Sequence, residues 1–318
     1  MKKLSLTLIC ALLSVFCSAQ SSSVSTGGES EITLKTATGD IYGTLNLAPV
    51  SKPAPVVLII AGSGPTDRNG NSQLGVKSDA YKMISAELAK NGIYSVRFDK
   101  RGIAASADAG KSEAMLRFDD YVNDVVAWVE LLKSDKRFSK IYILGHSEGS
   151  LIGMIAAGKA DVAGYISVAG LGRCADKIIK EQLVGKLPPS LESESNRILD
   201  SLVAGKTVAN VNPNLMVLYR PSVQPYMISW MKYDPAVEIK RLKVPVMIVQ
   251  GKNDIQVSVT DASILSSAKP DAKLVIIEKM NHVLKDCEPD MQSNMATYRD
   301  PMIPLNTLFV DELVKFLK

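Results

Sequence analysis

The stretch Ile141-Tyr142-Ile143-Leu144-Gly145-His146-Ser147-Glu148-Gly149-Ser150-Leu151-Ile152-Gly153-Met154-Ile155-Ala156-Ala157-Gly158 decides the fold. Ile141 to Leu144 is a short apolar run with β-branched residues and reads as a buried strand. From Leu151 onward, small and aliphatic residues read as a buried helix. The pentapeptide between them, Gly145 to Gly149, has the pattern G-x-S-x-G. Between a strand and a helix this pattern forms a strained turn that lifts a serine hydroxyl above the sheet edge. Its glycines admit the backbones that crowd the turn. Ser147 is therefore a candidate nucleophile.

Upstream, Ile32–Lys35 and Ile41–Leu47 alternate on either side of Thr-Gly-Asp and read as a hairpin. Val56–Ala61 is a continuous apolar run, the mark of a strand buried on both faces. A Gly-rich loop follows, Gly62 to Asn71. It lacks the Gly-Lys-Ser/Thr ending of a phosphate loop, though its composition suits backbone N–H groups aimed at an anion. Next come a helix over Asp79–Lys90, closed by Asn91-Gly92, and a strand over Ile93–Phe98. Tyr121, Val125, Trp128 and Leu132 set the period of a helix over Phe118–Lys133.

Downstream, Gly164–Val168, Val244–Gly251 and Lys273–Glu278 read as strands, with helices over Val259–Ser267 and Leu305–Lys318. Strands alternating with helices predict an α/β fold, with a mostly parallel central sheet flanked by helices. The pattern breaks over residues 170–234, which hold Pro188-Pro189, two helices (Ala175–Val184 and Leu191–Val203) and a Pro- and Met-rich stretch to Trp230. This segment reads as a helical lid insertion between two parts of the core, residues 31–169 and 235–318.

The 318 residues are 46% hydrophobic and 22% charged, enough for one large α/β domain. The formal charge is +4, and no basic run interleaves with aromatics, which speaks against nucleic-acid binding. Met1-Lys2-Lys3, the apolar run Leu4–Phe16 and Cys17-Ser18-Ala19 form the three regions of a signal peptide cleaved after Ala19. The apolar run is too short to span a bilayer comfortably. Phe16 disfavours acylation at Cys17, because a lipoprotein signal wants a small residue there. Residues 20–30 then form a Ser-rich flexible leader, and the protein is expected to be exported, periplasmic or secreted. Export permits a disulfide between the two mature cysteines, Cys174 and Cys287; two separate packed thiols are the other reading. Two histidines and no C-x-x-C pair offer no dedicated zinc site.

A serine hydroxyl is a poor nucleophile near neutral pH and needs an adjacent base, usually histidine. His146 neighbours Ser147 in the chain and should point away from it at the turn, so the base is His282, in the loop after the strand Lys273–Glu278. A carboxylate must fix the tautomer of that base. Asp254 follows the strand over Val246–Gln250, 28 residues before His282. Asp261 is the reserve, within the first turn of a helix. Ser147, Asp254 and His282 all fall at carboxyl ends of predicted strands, where open parallel sheets place their sites. The oxyanion of an acyl-transfer intermediate needs preorganised donors. One is the backbone N–H of Glu148; the second belongs to the loop after Val56–Ala61, at Ser63, with Gly62 and Gly64 as neighbours. The Glu148 side chain either helps hold the elbow or faces solvent.

These residues resemble an α/β-hydrolase, of the bacterial esterase and serine-aminopeptidase-like branch. The resemblance covers roughly residues 30–318. It rests on Gly-His-Ser-Glu-Gly at 145–149, Ala-Gly-Ser-Gly-Pro at 61–65, Asp-Lys-Arg-Gly at 99–102, Gly-Lys-Asn-Asp at 251–254 and Asn-His at 281–282. Two departures are visible: Ala104 stands where family members often carry a second glycine after the arginine, and Ala61 where they often carry histidine. The resemblance implies an α/β-hydrolase fold, no cofactor, a small-molecule ester substrate, and structural roles for Asp99 and Arg101. The expected activity is that of an exported serine esterase acting on small or medium acyl groups, with the lid setting specificity. A thioesterase or an aminopeptidase on the same fold is the alternative. The aminopeptidase would need an acidic subsite, for which Glu181, Glu192 and Glu194 are the lid candidates. A non-catalytic binding protein on the same scaffold is the alternative of another class.

Overall fold

The computed structural model describes residues 28–110 and 112–318. The expected signal peptide and most of the expected leader, with Cys17, lie outside the described residues.

Eight strands form the central sheet: β1 (Gly28–Thr36), β2 (Gly39–Leu47), β3 (Ala54–Ile60), β4 (Tyr94–Phe98), β5 (Phe138–His146), β6 (Gly164–Val168), β7 (Val246–Gly251) and β8 (Lys273–Ile277). Their order across the sheet is β1-β2-β4-β3-β5-β6-β7-β8. β2 runs antiparallel to both of its neighbours, and the strands from β4 to β8 are parallel. The helices are α1 (Ala80–Lys90), α2 (Phe118–Lys133), α3 (Glu148–Lys159), α4 (Ala175–Leu183), α5 (Pro189–Val203), α6 (Met216–Tyr219), α7 (Gln224–Trp230), α8 (Pro235–Lys240), α9 (Val259–Ala268), α10 (Met291–Thr297) and α11 (Thr307–Leu317).

The period of two along each strand divides the core into two layers. Val56, Leu58 and Ile60 of β3, with Ile141 and Ile143 of β5, face α2 and α3 through Val122, Val125, Trp128, Ile152 and Ile155. Val57 and Ile59, with Tyr142 and Leu144, face the opposite way onto α1 and α11 through Ile84, Leu88, Phe309 and Leu313. These strands read as unbroken apolar runs because both faces are covered. Each aliphatic side chain buried this way contributes about 1.5–3 kcal/mol.

The segment 170–234 holds α4 to α7 and builds an apolar cluster of its own from Ala175, Ile198, Leu199, Leu202, Leu215, Tyr219, Met227 and Met231. Pro189 opens α5 at its first turn, where a missing N–H costs nothing, so this helix starts two residues before the predicted Leu191.

Three further features differ from the sequence reading, and a fourth decides between its two readings of the cysteines. β1 begins at Gly28, inside the stretch expected to be leader, because Gly28, Glu29 and Ser30 pair in register with Leu47, Asn46 and Leu45. The Gly-rich loop continues into a short antiparallel ribbon, Asn71–Ser72 with Val76–Lys77. Two helices had no apolar period to announce them: α8 is capped by Asp234 and opened by Pro235, and α10 is capped by Asp290, which accepts from Ser293 N–H. Finally, Cys174 and Cys287 are both free, so the reading as separate thiols is the one the structure has.

Candidate active site

The elbow comes from close approach rather than from glycine flexibility. A Cβ on Gly145 would lie 2.2 Å from Gly149 O, and one on Gly149 would lie 2.5 Å from Ala61 O. Backbone this close excludes any side chain. Ser147 is the last residue before α3, with φ 55° and ψ −122°, a conformation that L-residues rarely adopt. Its N–H donates to Val168 O at 3.0 Å, which hooks the turn onto β6.

His282 lies in the loop after β8 and is 4% exposed. Its Nδ1 meets Asp254 Oδ2 at 2.8 Å. Asp254, at the end of β7, is held in turn: Oδ1 accepts from Gln256 N–H at 2.8 Å and Val257 N–H at 2.9 Å, and Oδ2 also accepts from Gln250 Nε2 at 3.1 Å. Burial alone would raise the Asp254 pKa, but the adjacent His282 and the two backbone N–H groups outweigh it and hold the carboxyl below its usual range. An ionised Asp254 can only accept, so His282 carries its proton on Nδ1 and Nε2 is left as the basic nitrogen. Ser147 and His282 line one cavity of about 260 Å³, together with Gly62, Ser63, Tyr81 and Tyr298. Among the described residues no hydrogen bond closes between Ser147 Oγ and His282.

The loop after β3 runs directly against the nucleophile: a Cβ on Gly62 would lie 3.2 Å from that of Ser147. Among the described residues Ser63 N–H has no acceptor within the protein. Glu148 N–H opens α3, where a backbone N–H has no intrahelical partner. The two expected oxyanion donors therefore flank Ser147. The Glu148 side chain is 3% exposed, which rules out the solvated reading. It accepts from Lys100 Nζ at 3.1 Å and from Tyr226 Oη at 2.7 Å.

His146 has both ring nitrogens engaged elsewhere, and these partners were not legible in the sequence. It is buried, with Nε2 2.8 Å from the carbonyl of His282 and Nδ1 2.8 Å from Tyr81 Oη. A carbonyl only accepts, so Nε2 carries the proton and Nδ1 accepts from the tyrosine. Tyr81 Oη in turn accepts from Gly62 N–H at 3.1 Å. One chain of hydrogen bonds thus links the loop after β3, the elbow and the histidine loop. Burial, and after it the electrostatic influence of the neighbouring His282, lower the His146 pKa from 6.5 to about 3. The only sign of this in the sequence is that one of two histidines adjoins the serine.

The reserve carboxylate does other work. Asp261 is fully buried and binds Gly172 N–H at 3.1 Å and Arg173 Nη2 at 2.7 Å, which ties α9 to the root of the segment 170–234. Asp99 accepts from Arg68 N–H at 2.7 Å and Nε at 2.9 Å, and Arg101 Nε donates to Asp124 at 3.0 Å; both brace loops. Ala104, at the family's glycine position, has φ 45°. Glu181 pairs with Arg173, Glu194 accepts from Asn212 N–H at 3.1 Å, and Glu192 faces Gly185 N–H at 3.5 Å. None of these three lines the cavity of Ser147.

A mostly parallel eight-stranded sheet with helices on both faces and a serine elbow between its fifth strand and the next helix is the α/β-hydrolase fold. Within that fold, the chain belongs to the serine aminopeptidase (S33) family, whose profile matches residues 73–290. Esterase EstD of Thermotoga maritima is 27% identical over 245 residues, covering 76% of this chain and 57% of EstD, so the chain spans little more than half the length of that relative. Among solved structures, Est1E from Butyrivibrio proteoclasticus with ferulic acid bound is similar at a TM-score of 0.61 and 17% identity, over 90% of this chain and 98% of that one. The Pyrococcus furiosus esterase Pf2001 is similar at 0.57 and 14%, over 92% of each chain. Among the described residues no helix is long and apolar enough to cross a membrane.

Proposed function

We propose that the chain is a serine hydrolase that cleaves carboxylic esters of small or medium acyl groups through an acyl-enzyme. Ser147 Oγ attacks the ester carbonyl as His282 Nε2 takes its proton. Asp254 holds the ring and stabilises the imidazolium that forms. The N–H groups of Ser63 and Glu148 receive the oxyanion. Collapse of the tetrahedral intermediate expels the alcohol, which takes the proton from His282. Water then gives a proton to the same nitrogen as its oxygen attacks the acyl carbon; collapse breaks the bond to Ser147, whose Oγ takes the proton back from His282 as the acid leaves. The observation that carries this reading is the Asp254–His282 hydrogen bond of 2.8 Å, turned toward the cavity that the strained Ser147 lines. A protein that only binds has no use for either feature.

Several observations favour esters. The cavity of about 260 Å³ suits a small or medium acyl group, the similar proteins bear esterase names, and the three lid glutamates are engaged away from the site, with no ammonium subsite among them. The segment 170–234 acts as the lid. Arg220, Val223 and Tyr226 from it line a second cavity of about 360 Å³, which shares Gly64 and Pro65 with the first. Residues 1–19 direct export, and N-terminal sequencing of the mature protein should begin at Gln20.

The test is a panel of p-nitrophenyl esters, acyl thioesters and aminoacyl anilides, with Ser147→Ala as control. Wild type should turn over the short-chain esters fastest and be labelled by a fluorophosphonate. Ser147→Ala should lose both properties by several orders of magnitude while keeping its fold. Near-wild-type ester hydrolysis in that variant sinks the assignment.

A further inference from the structure

Lys100 has no part in the proton transfers above, yet it is buried at 2% exposure beside the nucleophile. Its Nζ donates to the carbonyl of Gly62 at 2.6 Å and to Glu148 Oε2 at 3.1 Å, and it lies 5.0 Å from the centre of the Tyr121 ring. The other oxygen of Glu148 is held by Tyr226 Oη, from α7 of the segment 170–234. A trans peptide is planar, with its C=O and the following N–H pointing in opposite directions. The Gly62–Ser63 peptide is trans. Whatever grips Gly62 O therefore sets the direction of Ser63 N–H. The other side of Gly62 is gripped by Tyr81 Oη, so a residue with glycine's freedom is clamped at both ends.

We propose that Lys100 is a positioning residue for ester hydrolysis: its ammonium bridges the Gly62 carbonyl and the Glu148 carboxylate, and so aims and strengthens the Ser63 N–H donor of the oxyanion hole and neutralises the carboxylate beside that hole. This rests on the assignment of Ser147, His282 and Asp254. Two physical effects follow. A cation on a peptide oxygen polarises the amide and makes its N–H a better donor, as in any chain of hydrogen bonds. The same cation neutralises the Glu148 carboxylate, which would otherwise repel the negative charge that develops next to it. Tyr226 supplies the remaining hydrogen bond to that carboxylate, so the lid segment reaches the hole through Glu148.

Lys100→Met removes the ammonium and keeps the length of the chain. It strands a buried carboxylate, so the double variant Lys100→Met/Glu148→Gln is made beside it. The substrates are p-nitrophenyl butyrate and the corresponding thionoester, whose sulfur accepts N–H hydrogen bonds poorly. Removing one oxyanion donor outright costs about 10²–10³ in kcat. Misaiming one should lower kcat for the oxo ester by about tenfold to a hundredfold, leave KM within about twofold, and pull the oxo-to-thiono rate ratio toward that of hydroxide-catalysed hydrolysis. Both variants should show this, and the double variant decides if the single one fails to fold. Wild-type kcat and ratio in a folded Lys100 variant overturn the proposal. So does a fall in kcat with an unchanged ratio, which is what loosened structure alone would give. Ser147→Ala separates the two readings: activity retained there defeats the esterase assignment itself, whereas an inactive Ser147→Ala beside a fully active Lys100→Met defeats only the role of Lys100.

Discussion

Acid should unfold this protein in part through His146. Its folded-state pKa lies near 3, against 6.5 for a free imidazole, because the ring is buried, between Tyr81 and the His282 carbonyl, where a second charge-bearing proton is poorly solvated. The unfolded chain takes up that proton below pH 6.5, and the folded chain does not until pH falls to about 3. Stability from this group is therefore complete above 6.5 and drains away as pH falls, at about 1.4 kcal/mol per pH unit. Between pH 7 and pH 5 the loss integrates to about 2 kcal/mol. Asp254 and Glu113, both depressed, titrate below their ordinary 3.8 and 4.5 and so stay charged throughout that window. His282 is common to both proteins in the comparison. The assay is urea unfolding at pH 7 and pH 5, followed by the fluorescence of Trp128 and Trp230, for wild type and His146→Gln. The amide keeps a donor for the His282 carbonyl and cannot titrate. Wild type should lose about 2 kcal/mol more than the variant over the two pH units. Equal losses in the two proteins would refute the reasoning.

Asp254→Asn should preserve the fold and lower kcat by about 10⁴, since an amide leaves His282 in the wrong tautomer. Asp261→Asn should instead lower the melting temperature, through its lost ties to Gly172 and Arg173, and change kcat less than tenfold; if steady-state kinetics and thermal melts show the reverse, the carboxylates have been assigned the wrong way round. Ala104→Gly should stabilise the protein by about 0.5–1 kcal/mol, because the Cβ strain at φ 45° outweighs the extra freedom glycine gives the unfolded chain; thermal unfolding with no gain or a loss would contradict this.

The sequence by itself determined the elements whose causes are local. The apolar runs of β3, β5, β6 and β7, broken within β6 only by the small Ser167 and in β5 confined to Ile141–Leu144, announce strands covered on both faces, and the alternation of strands with helices makes them parallel. The strand–turn–helix context of Gly145–Gly149 and the order Ser147, Asp254, His282 need only neighbours along the chain and one count of histidines. Helices α8 and α10 escaped because capping, and no apolar stripe, defines them. What only the tertiary structure decided depends on strand order. β3 lies between β4 and β5 in the sheet, so the residues that follow those three strands, Gly62, Lys100 and Ser147, emerge side by side. Lys100 thereby reaches a carbonyl 38 residues away and a carboxylate 48 away, and His146 reaches a carbonyl across 136 residues. No spacing along the chain encodes such contacts. They arise because polar groups buried where loops converge must find partners there, and the sheet chooses which loops converge.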